Sequence, residues 1–175
     1  SPGPRKFFQI GVEFTSEGND GSRIEYLQFK TSVPPAAREI VGEIFPVEVE
    51  IEKVTHKFSY FVTATMAAVD KGFDSVEITT PYGVSSVDSL RVDGINQDGF
   101  TRMIKEDGSG FEVTLPGKLD TGDSGVIVEV VFQAPVLRER GTFFDGSVFD
   151  SAQPHEVRQR IKPGNVADEI ESDVL

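Results

Sequence analysis

The chain has 175 residues, of which 38% are hydrophobic and 26% charged, a composition typical of a folded globular protein rather than a disordered one. Its 29 acidic residues outnumber 17 Lys and Arg, and the resulting net charge of −12 disfavours binding to nucleic acid or anionic membranes. The absence of cysteine excludes disulfides, thiolate metal sites and cysteine nucleophiles.

The domain organisation is predicted to be simple. Residues 1–5, Ser-Pro-Gly-Pro-Arg, resemble a linker or tag remnant, and residues 6–175 are expected to form one domain. No stretch approaches the roughly 18 apolar residues that a membrane-spanning helix needs, so no transmembrane segment is predicted.

Alternation of apolar and polar residues is the dominant pattern along the chain, and it predicts β-strands with one buried face. Strict alternation marks residues 47–52, 111–115 and 157–161. Residues 58–66 alternate as well, with Phe61 interrupting the polar face, which predicts cover on both sides. Residues 126–132 are almost continuously apolar and β-branched, as in a central strand.

Turn sequences rich in Gly, Asp, Asn and Pro separate these segments at short intervals, including Asp20-Gly21, Asp93-Gly94 and Asp98-Gly99. This spacing predicts an all-β fold, a single antiparallel sandwich of about nine to eleven strands with Greek-key or jelly-roll connections. At the level of architecture the pattern resembles the immunoglobulin-like modules of large bacterial surface and secreted proteins. The resemblance implies no site residues.

Two short segments have helical features. Residues 34–41 begin with two prolines and end before Gly42, which predicts one or two helical turns. Residues 166–174 are a second candidate, preceded by Asn165 as a possible cap.

The strand faces also define an expected core. Gly146, flanked by aromatic residues, predicts a bulge or a close approach of two backbones. The side chains expected to be buried are Phe58, Tyr60, Val62, Val76, Ile78, Phe111, Val113, Leu115, Val128, Val130, Phe132, Val157 and Ile161.

Catalytic motifs are weak in this sequence. His56 and His155 lie outside any recognisable catalytic or metal-binding motif, and no Gly-x-Ser-x-Gly segment occurs. Paired carboxylates could hydrolyse a glycosidic bond, but the chain has no tryptophan to serve as a sugar platform. Arg158 and Arg160 could bind an anion, and are more simply expected to pair with the surplus carboxylates.

Calcium is the most specific ligand that the sequence suggests, because hard cations prefer several oxygen ligands. Asp93, Asn96 and Asp98 supply three side-chain oxygens within six residues, and residues 17–20 and 120–124 supply further groups. None matches an EF-hand loop, and Asp, Asn and Gly also occur in β-turns for backbone reasons alone.

The sequence therefore leaves three functions open. The first is a non-catalytic structural or adhesive module of a secreted or cell-surface bacterial protein or assembly, contacting protein neighbours or a surface glycan. The second is a carbohydrate-binding jelly roll, with or without a structural calcium. The third is a glycan-active enzyme that uses carboxylates.

Overall fold

A computed structural model describes Gly11 and residues 24–27, 34–50, 55–136 and 144–164. In these ranges the chain forms eleven strands and one turn of 3-10 helix, and the predicted all-β sandwich is confirmed. The elements are β1 (Glu39–Phe45), β2 (Thr55–Thr65), β3 (Phe73–Thr79), β4 (Ser86–Val92), β5 (Ile95–Asn96), β6 (Thr101–Ile104), β7 (Gly110–Leu119), the 3-10 turn (Thr121–Asp123), β8 (Ile127–Pro135), β9 (Asp145–Phe149), β10 (Gln159–Arg160) and β11 (Lys162–Pro163).

The strands form two sheets that pack face to face. One has six strands in the order β11-β1-β2-β8-β4-β5, and the other has five in the order β10-β9-β3-β7-β6. All neighbours are antiparallel except β1 and β11, which run parallel. Consecutive strands repeatedly change sheet, so most contacts join residues distant in sequence.

The predicted central strand lies where its sequence indicates. β8 pairs with β2 on one side and β4 on the other, in the middle of the six-stranded sheet. Its inward side chains are buried, and Val131, which points to the outer face, is also only 2% exposed. Phe61 on the neighbouring β2 is half-buried. The apolar run without alternation therefore corresponds here to a central strand on which Val131 is buried on the outer face as well.

Four phenylalanine rings form a cluster between the sheets. Phe132 of β8 lies 5.7 Å from Phe58 of β2 and 5.0 Å from Phe111 of β7, measured between ring centroids. Phe144 completes the cluster at 5.3 Å from Phe58. Every residue in the predicted core is buried except Val157, which is half-buried because it lies in the loop before β10.

A short segment near the C-terminal end of the described chain joins the two sheets. Residues 159–160 pair with β9 of the five-stranded sheet, and residues 162–163 pair with β1 of the six-stranded sheet. Between them, Ile161 is 2% exposed and enters the core.

Two glycines receive this crossing segment. The backbone N–H of Ile161 donates to the carbonyl of Gly146 at 2.8 Å, and that of Gly164 donates to Gly42 at 2.6 Å. The Tyr60 hydroxyl and Ile161 occupy the space that a side chain at Gly42 or Gly146 would take. The close approach expected at Gly146 is therefore present.

Two predictions about local structure are wrong. Residues 34–41 do not form a helix: residues 34–38 have no regular structure, and β1 begins at Glu39. Ile40, Gly42 and Ile44 alternate with exposed or half-buried residues, so burial in the sheet overrides the local helical preference. The strand predicted at 47–52 is absent over 47–50.

Several predictions lie outside the described residues. These are the linker at 1–5, the turn at Asp20-Gly21, the acidic group at 17–20 and the helix at 166–174. Among the helical segments that the structure describes, none is long and apolar enough to cross a membrane.

Candidate functional site

The most concentrated group of charges in the described chain lies on the outer face of the five-stranded sheet. Glu77 of β3 stands directly opposite Glu112 of β7 in the strand register, and Ser147 of β9 stands opposite Glu77 on its other side. Two carboxylates opposite each other on neighbouring strands repel, so this pairing needs a compensating cation.

Arg158 supplies that cation. Its Nη1 atom donates to Glu77 Oε2 at 2.6 Å and to Glu112 Oε1 at 2.5 Å, so one guanidinium bridges both carboxylates. Lys105 forms a second ion pair with Glu77, and the Ser147 hydroxyl donates to Glu77 Oε2 at 3.0 Å. Two cations thus neutralise two anions within this group, named here the Arg158 network.

The ring of Phe149 is covered by the same arginine. The Arg158 Cζ atom lies 3.9 Å from the ring centroid, a distance typical of a cation–π contact. Phe149 is the aromatic residue of β9 on this face of the sheet, beside Ser75 in the register. Its ring is therefore not presented to solvent as a free stacking platform.

The charged forms of Glu77 and Arg158 are favoured within the network. Burial alone raises the pKa of Glu77, but hydrogen bonds from Lys105, Arg158 and Ser147 outweigh it, and the pKa lies below its ordinary value. Burial likewise opposes the charge of Arg158, yet its bonds to Glu112 and Glu77 raise its pKa overall. Both partners are therefore held in their charged forms.

The loop between β9 and β10, residues 150–158, holds Arg158 in place. The Ser151 backbone N–H donates to Asp74 Oδ1 at 2.7 Å, and Lys118 pairs with Asp150 at 2.5 Å. Lys71 binds Glu156 at 2.6 Å, two residues before Arg158. These contacts attach the loop to β3, β7 and the turn before β3.

This arrangement is unsuited to general acid catalysis by Glu77. A glycosidase acid must carry a proton near neutral pH and usually has a raised pKa. Glu77 has the opposite shift, and its oxygens already accept hydrogen bonds from three side chains. The geometry instead stabilises the sheet and fixes the loop.

Of the three residues suggested for calcium, two already accept hydrogen bonds from other parts of the protein. Asp93 has φ of 48°, and its Oδ1 accepts a hydrogen bond from the Ile127 backbone N–H at 2.9 Å. Asn96 Oδ1 accepts from Arg91 Nε at 3.1 Å, which places a positive guanidinium where a cation would bind. Asp98 is exposed in the turn after β5. The calcium hypothesis stays a prediction.

The second acidic group forms the cap of the 3-10 turn. Asp120 Oδ1 accepts from the Gly122 N–H at 2.8 Å, and Asp123 Oδ2 accepts from the Asp120 N–H at 2.9 Å. These are reciprocal capping bonds. Within the ranges that the structure describes, no three His, Asp or Glu side chains gather as a metal-binding group.

The two histidines lie in different environments. His56 faces inward on β2, with its ring centroid 6.4 Å from Phe58 and its Nε2 atom shielded from solvent. His155 is exposed in the 150–158 loop.

Arg160, predicted to pair with a carboxylate, binds Asp145 at 2.6 Å.

The Arg158 network could not be found from local sequence. Arg158 is 81 residues from Glu77 and 46 from Glu112, and only the sheet register brings them together. The one local signal was the alternation of Arg158 and Arg160 in a chain with surplus acid. No protein-family model and no curated protein matches this chain, so the functional argument rests on the geometry.

Proposed function

We propose that this chain is a non-catalytic structural or adhesive module, immunoglobulin-like in architecture, of a bacterial protein or assembly at the cell surface or outside the cell. The observation that carries the proposal is the Arg158 network. One guanidinium joins two opposed carboxylates, Glu77 and Glu112, and the pKa of Glu77 lies below its ordinary value. The pair supports the sheet, and the lowered pKa of Glu77 is the opposite of what a general acid for hydrolysis needs.

Exposed apolar side chains support contact with a protein neighbour. Phe45, at the end of β1 on the outer face of the six-stranded sheet, is 66% exposed, and Ile95 at the opposite sheet edge is 68% exposed. Contiguous exposed apolar patches mark protein contact sites, whereas single apolar residues are ordinary on a surface, so Phe45 and Ile95 are positions at which contact can be tested. The covered ring of Phe149 gives no comparable support to the carbohydrate-binding alternative.

The first experiment tests catalysis and glycan binding. The protein is incubated with soluble and insoluble polysaccharides, and reducing ends and co-sedimentation are measured. We expect neither. Hydrolysis that Glu77→Gln and Glu112→Gln both abolish would overturn the proposal in favour of an enzyme, and co-sedimentation would favour a glycan-binding module.

The second experiment tests protein contact directly. A photo-crosslinking amino acid replaces Phe45 in the intact protein, and the matched control replaces Thr79, which is exposed on the other sheet. We expect covalent adducts with protein from position 45 and none from position 79. Equal labelling from both positions would contradict a specific contact surface.

A further inference from the structure

Four Asp-Gly pairs lie in the described part of the chain, and they begin at Asp93, Asp98, Asp107 and Asp145. Such a pair is chemically reactive because glycine has no side chain to hinder its amide nitrogen and its backbone bends easily. The reaction joins that nitrogen to the carboxyl group of the preceding aspartate. It therefore needs a carboxyl group, an amide and a backbone that the fold leaves unconstrained.

Hydrogen bonds and strand pairing constrain two of these pairs. Asp93 Oδ1 accepts a hydrogen bond from the Ile127 N–H at 2.9 Å, which holds the side chain against β8. Asp145 binds Arg160 at 2.6 Å, and the buried Gly146 lies within β9, which is paired on both sides. The backbone at Gly146 cannot bend without breaking the five-stranded sheet.

Both reacting groups of the Asp107 pair are bonded. Asp107 Oδ1 accepts from the Ser109 N–H at 2.9 Å, and the Gly108 N–H donates to the Lys105 carbonyl at 3.1 Å. The bonds from Ser109 also lower the pKa of Asp107, which favours the ionised carboxylate. The ionised form has no hydroxyl group that could leave as water.

The Asp98 pair differs from the other three in each respect. Asp98 and Gly99 are exposed in the turn that joins β5 to β6, and the Phe100 N–H donates to the Gln97 carbonyl across this turn at 3.3 Å. Within the described chain, neither the Asp98 side chain nor the Gly99 N–H has a hydrogen-bond partner. The carboxyl group and the amide are both available to react.

We propose that the bond between Asp98 and Gly99 is a site of spontaneous isomerisation to isoaspartate. The Gly99 nitrogen attacks Asp98 Cγ and forms a C–N bond, the carboxyl C–O bond breaks, and the hydroxyl group leaves with the amide proton as water. Solvent water then opens the cyclic succinimide. Opening at the Cγ carbonyl restores aspartate, whereas opening at the α-carbonyl leaves the chain running through Cγ, which is isoaspartate.

The product changes the turn and keeps the charge. Isoaspartate adds a carbon to the backbone and retains a carboxylate, so the bond from Phe100 to Gln97, which spans the modified linkage, should be lost. The two-residue β5 lies at the end of the strand order in its sheet, so the remaining pairs should hold. The inference is independent of the proposed structural role.

The test is prolonged incubation of the intact protein at mildly acidic pH, with circular dichroism to check that it stays folded. Samples are digested with an endoproteinase that cleaves before aspartate but not before isoaspartate, and the peptides are quantified by mass spectrometry. We expect progressive loss of cleavage before Asp98 and retention before Asp93, Asp107 and Asp145. Retention at all four positions, or a faster loss at any of the other three, would overturn the inference.

Incubation in concentrated urea shows whether the fold makes the selection. Unfolding removes the hydrogen bonds and the strand pairing that constrain the other three pairs, so all four should then lose cleavage at similar rates. The preference for Asp98 should therefore disappear. A preference that stayed unchanged in urea would contradict the proposal, because it would come from neighbouring residues in the sequence.

Gly99→Ala tests the attacking group. An added Cβ would lie 3.5 Å from Pro116, an ordinary contact, so the fold should tolerate the change while the side chain hinders the attack. Cleavage before Asp98 should then persist. Gly117→Ala is the matched control, since its Cβ would meet nothing within 4 Å, and it should lose cleavage at the wild-type rate. Loss at the wild-type rate in Gly99→Ala would contradict the proposed reaction.

Discussion

The side-chain amide of Gln159 pairs with the backbone of Ala37 as a neighbouring strand would, by donating one hydrogen bond and accepting another. Gln159 Nε2 donates to the Ala37 carbonyl at 2.7 Å, and Gln159 Oε1 accepts from the Ala37 N–H at 3.2 Å, across 122 residues of sequence. Ala37 is fully buried just before β1, so its backbone groups need partners inside the protein.

Replacing Gln159 with leucine should leave both backbone groups of Ala37 unpaired. We expect the free energy of unfolding to fall by about 1–3 kcal/mol, the usual cost of unsatisfied buried polar groups. Urea titration measures the change. Gln97→Leu, which removes a bond to the Ile95 carbonyl at the surface, should change stability by less than about 0.5 kcal/mol. Equal losses in both variants would show that the pairing of Gln159 with the Ala37 backbone has no special role.

Gly42→Ala should destabilise the fold because an added Cβ at this position would lie 2.6 Å from Ile161 Cγ2 and 2.8 Å from Tyr60 Cζ. Overpacking of this kind costs about 1–3 kcal/mol. Tyr60→Phe in the same chain should recover part of the loss by removing the hydroxyl that clashes with the added methyl group. Gly117→Ala, which meets nothing within 4 Å, is the control.

Glu77→Gln should lower the free energy of unfolding by about 1–2 kcal/mol at pH 7, because it removes the charge that binds Lys105 and Arg158. The folded-state pKa of Glu77 is below its ordinary value of 4.5, so its stabilisation is present above that pH. The stabilisation is lost as the pH falls through the folded-state pKa. Denaturant titrations across acidic pH should show the unfolding free energies of the wild type and Glu77→Gln converging as the pH falls.

The control for this pH dependence is Glu39→Gln. Glu39 also pairs with a lysine, Lys162, and its pKa is also lowered, mainly by that hydrogen bond, but both side chains are largely exposed. We therefore expect little change in stability at any pH. A pH dependence in Glu39→Gln as large as in Glu77→Gln would contradict a specific role for the Arg158 network.

His56→Phe should raise the free energy of unfolding by about 0.5–1 kcal/mol. The His56 Nε2 atom is shielded from solvent and has no hydrogen-bond partner among the described residues, and a phenylalanine would remove that polar atom. Its ring would also extend the aromatic cluster at Phe58. Thermal melts measure the gain, and exposed His155→Phe provides the comparison. A loss of stability would indicate that His56 has a polar role.

The melting temperature should be the same in saturating calcium as in a chelator. The reason is that the oxygens of Asp93 and Asn96 already accept hydrogen bonds from Ile127 and Arg91. Binding to the folded state alone would stabilise it by about 2.7 kcal/mol at a hundredfold excess over Kd, a readily measured shift. An increase that Asp98→Ala abolishes would contradict this expectation and establish the predicted site.

Hydropathy patterns predicted two strands in the middle of the six-stranded sheet, β2 from its alternation and β8 from its nearly continuous apolar run. β2 and β8 follow their sequence patterns because burial on one or both faces selects the same residues that the pattern displays. Pairing itself was not predictable at residues 47–50, where the alternation is strict but no described strand lies alongside. Alternation reports a preference for a half-buried extended chain, whereas strand pairing depends on distant segments.

Local propensity misled the interpretation of residues 34–41. The segment has a helix-like start and a glycine at its end, yet Gly42 is required by close packing against Tyr60 and Ile161 rather than by a helix terminus. The Arg158 network was hidden for a related reason. Its carboxylates lie on β3 and β7, and only the completed register places Arg158 between them.

The parallel pairing of β1 with β11 determines how a pulling force would act on the domain. Tension applied before Glu39 and after Pro163 would draw these two adjacent strands in opposite directions along their own axes. Their hydrogen bonds would then be loaded together in shear, rather than opened one after another from an end. Mechanical resistance would come first from the hydrogen bonds of this strand pair and from the burial of Ile161 between the sheets. The aromatic cluster would be loaded only after these contacts broke.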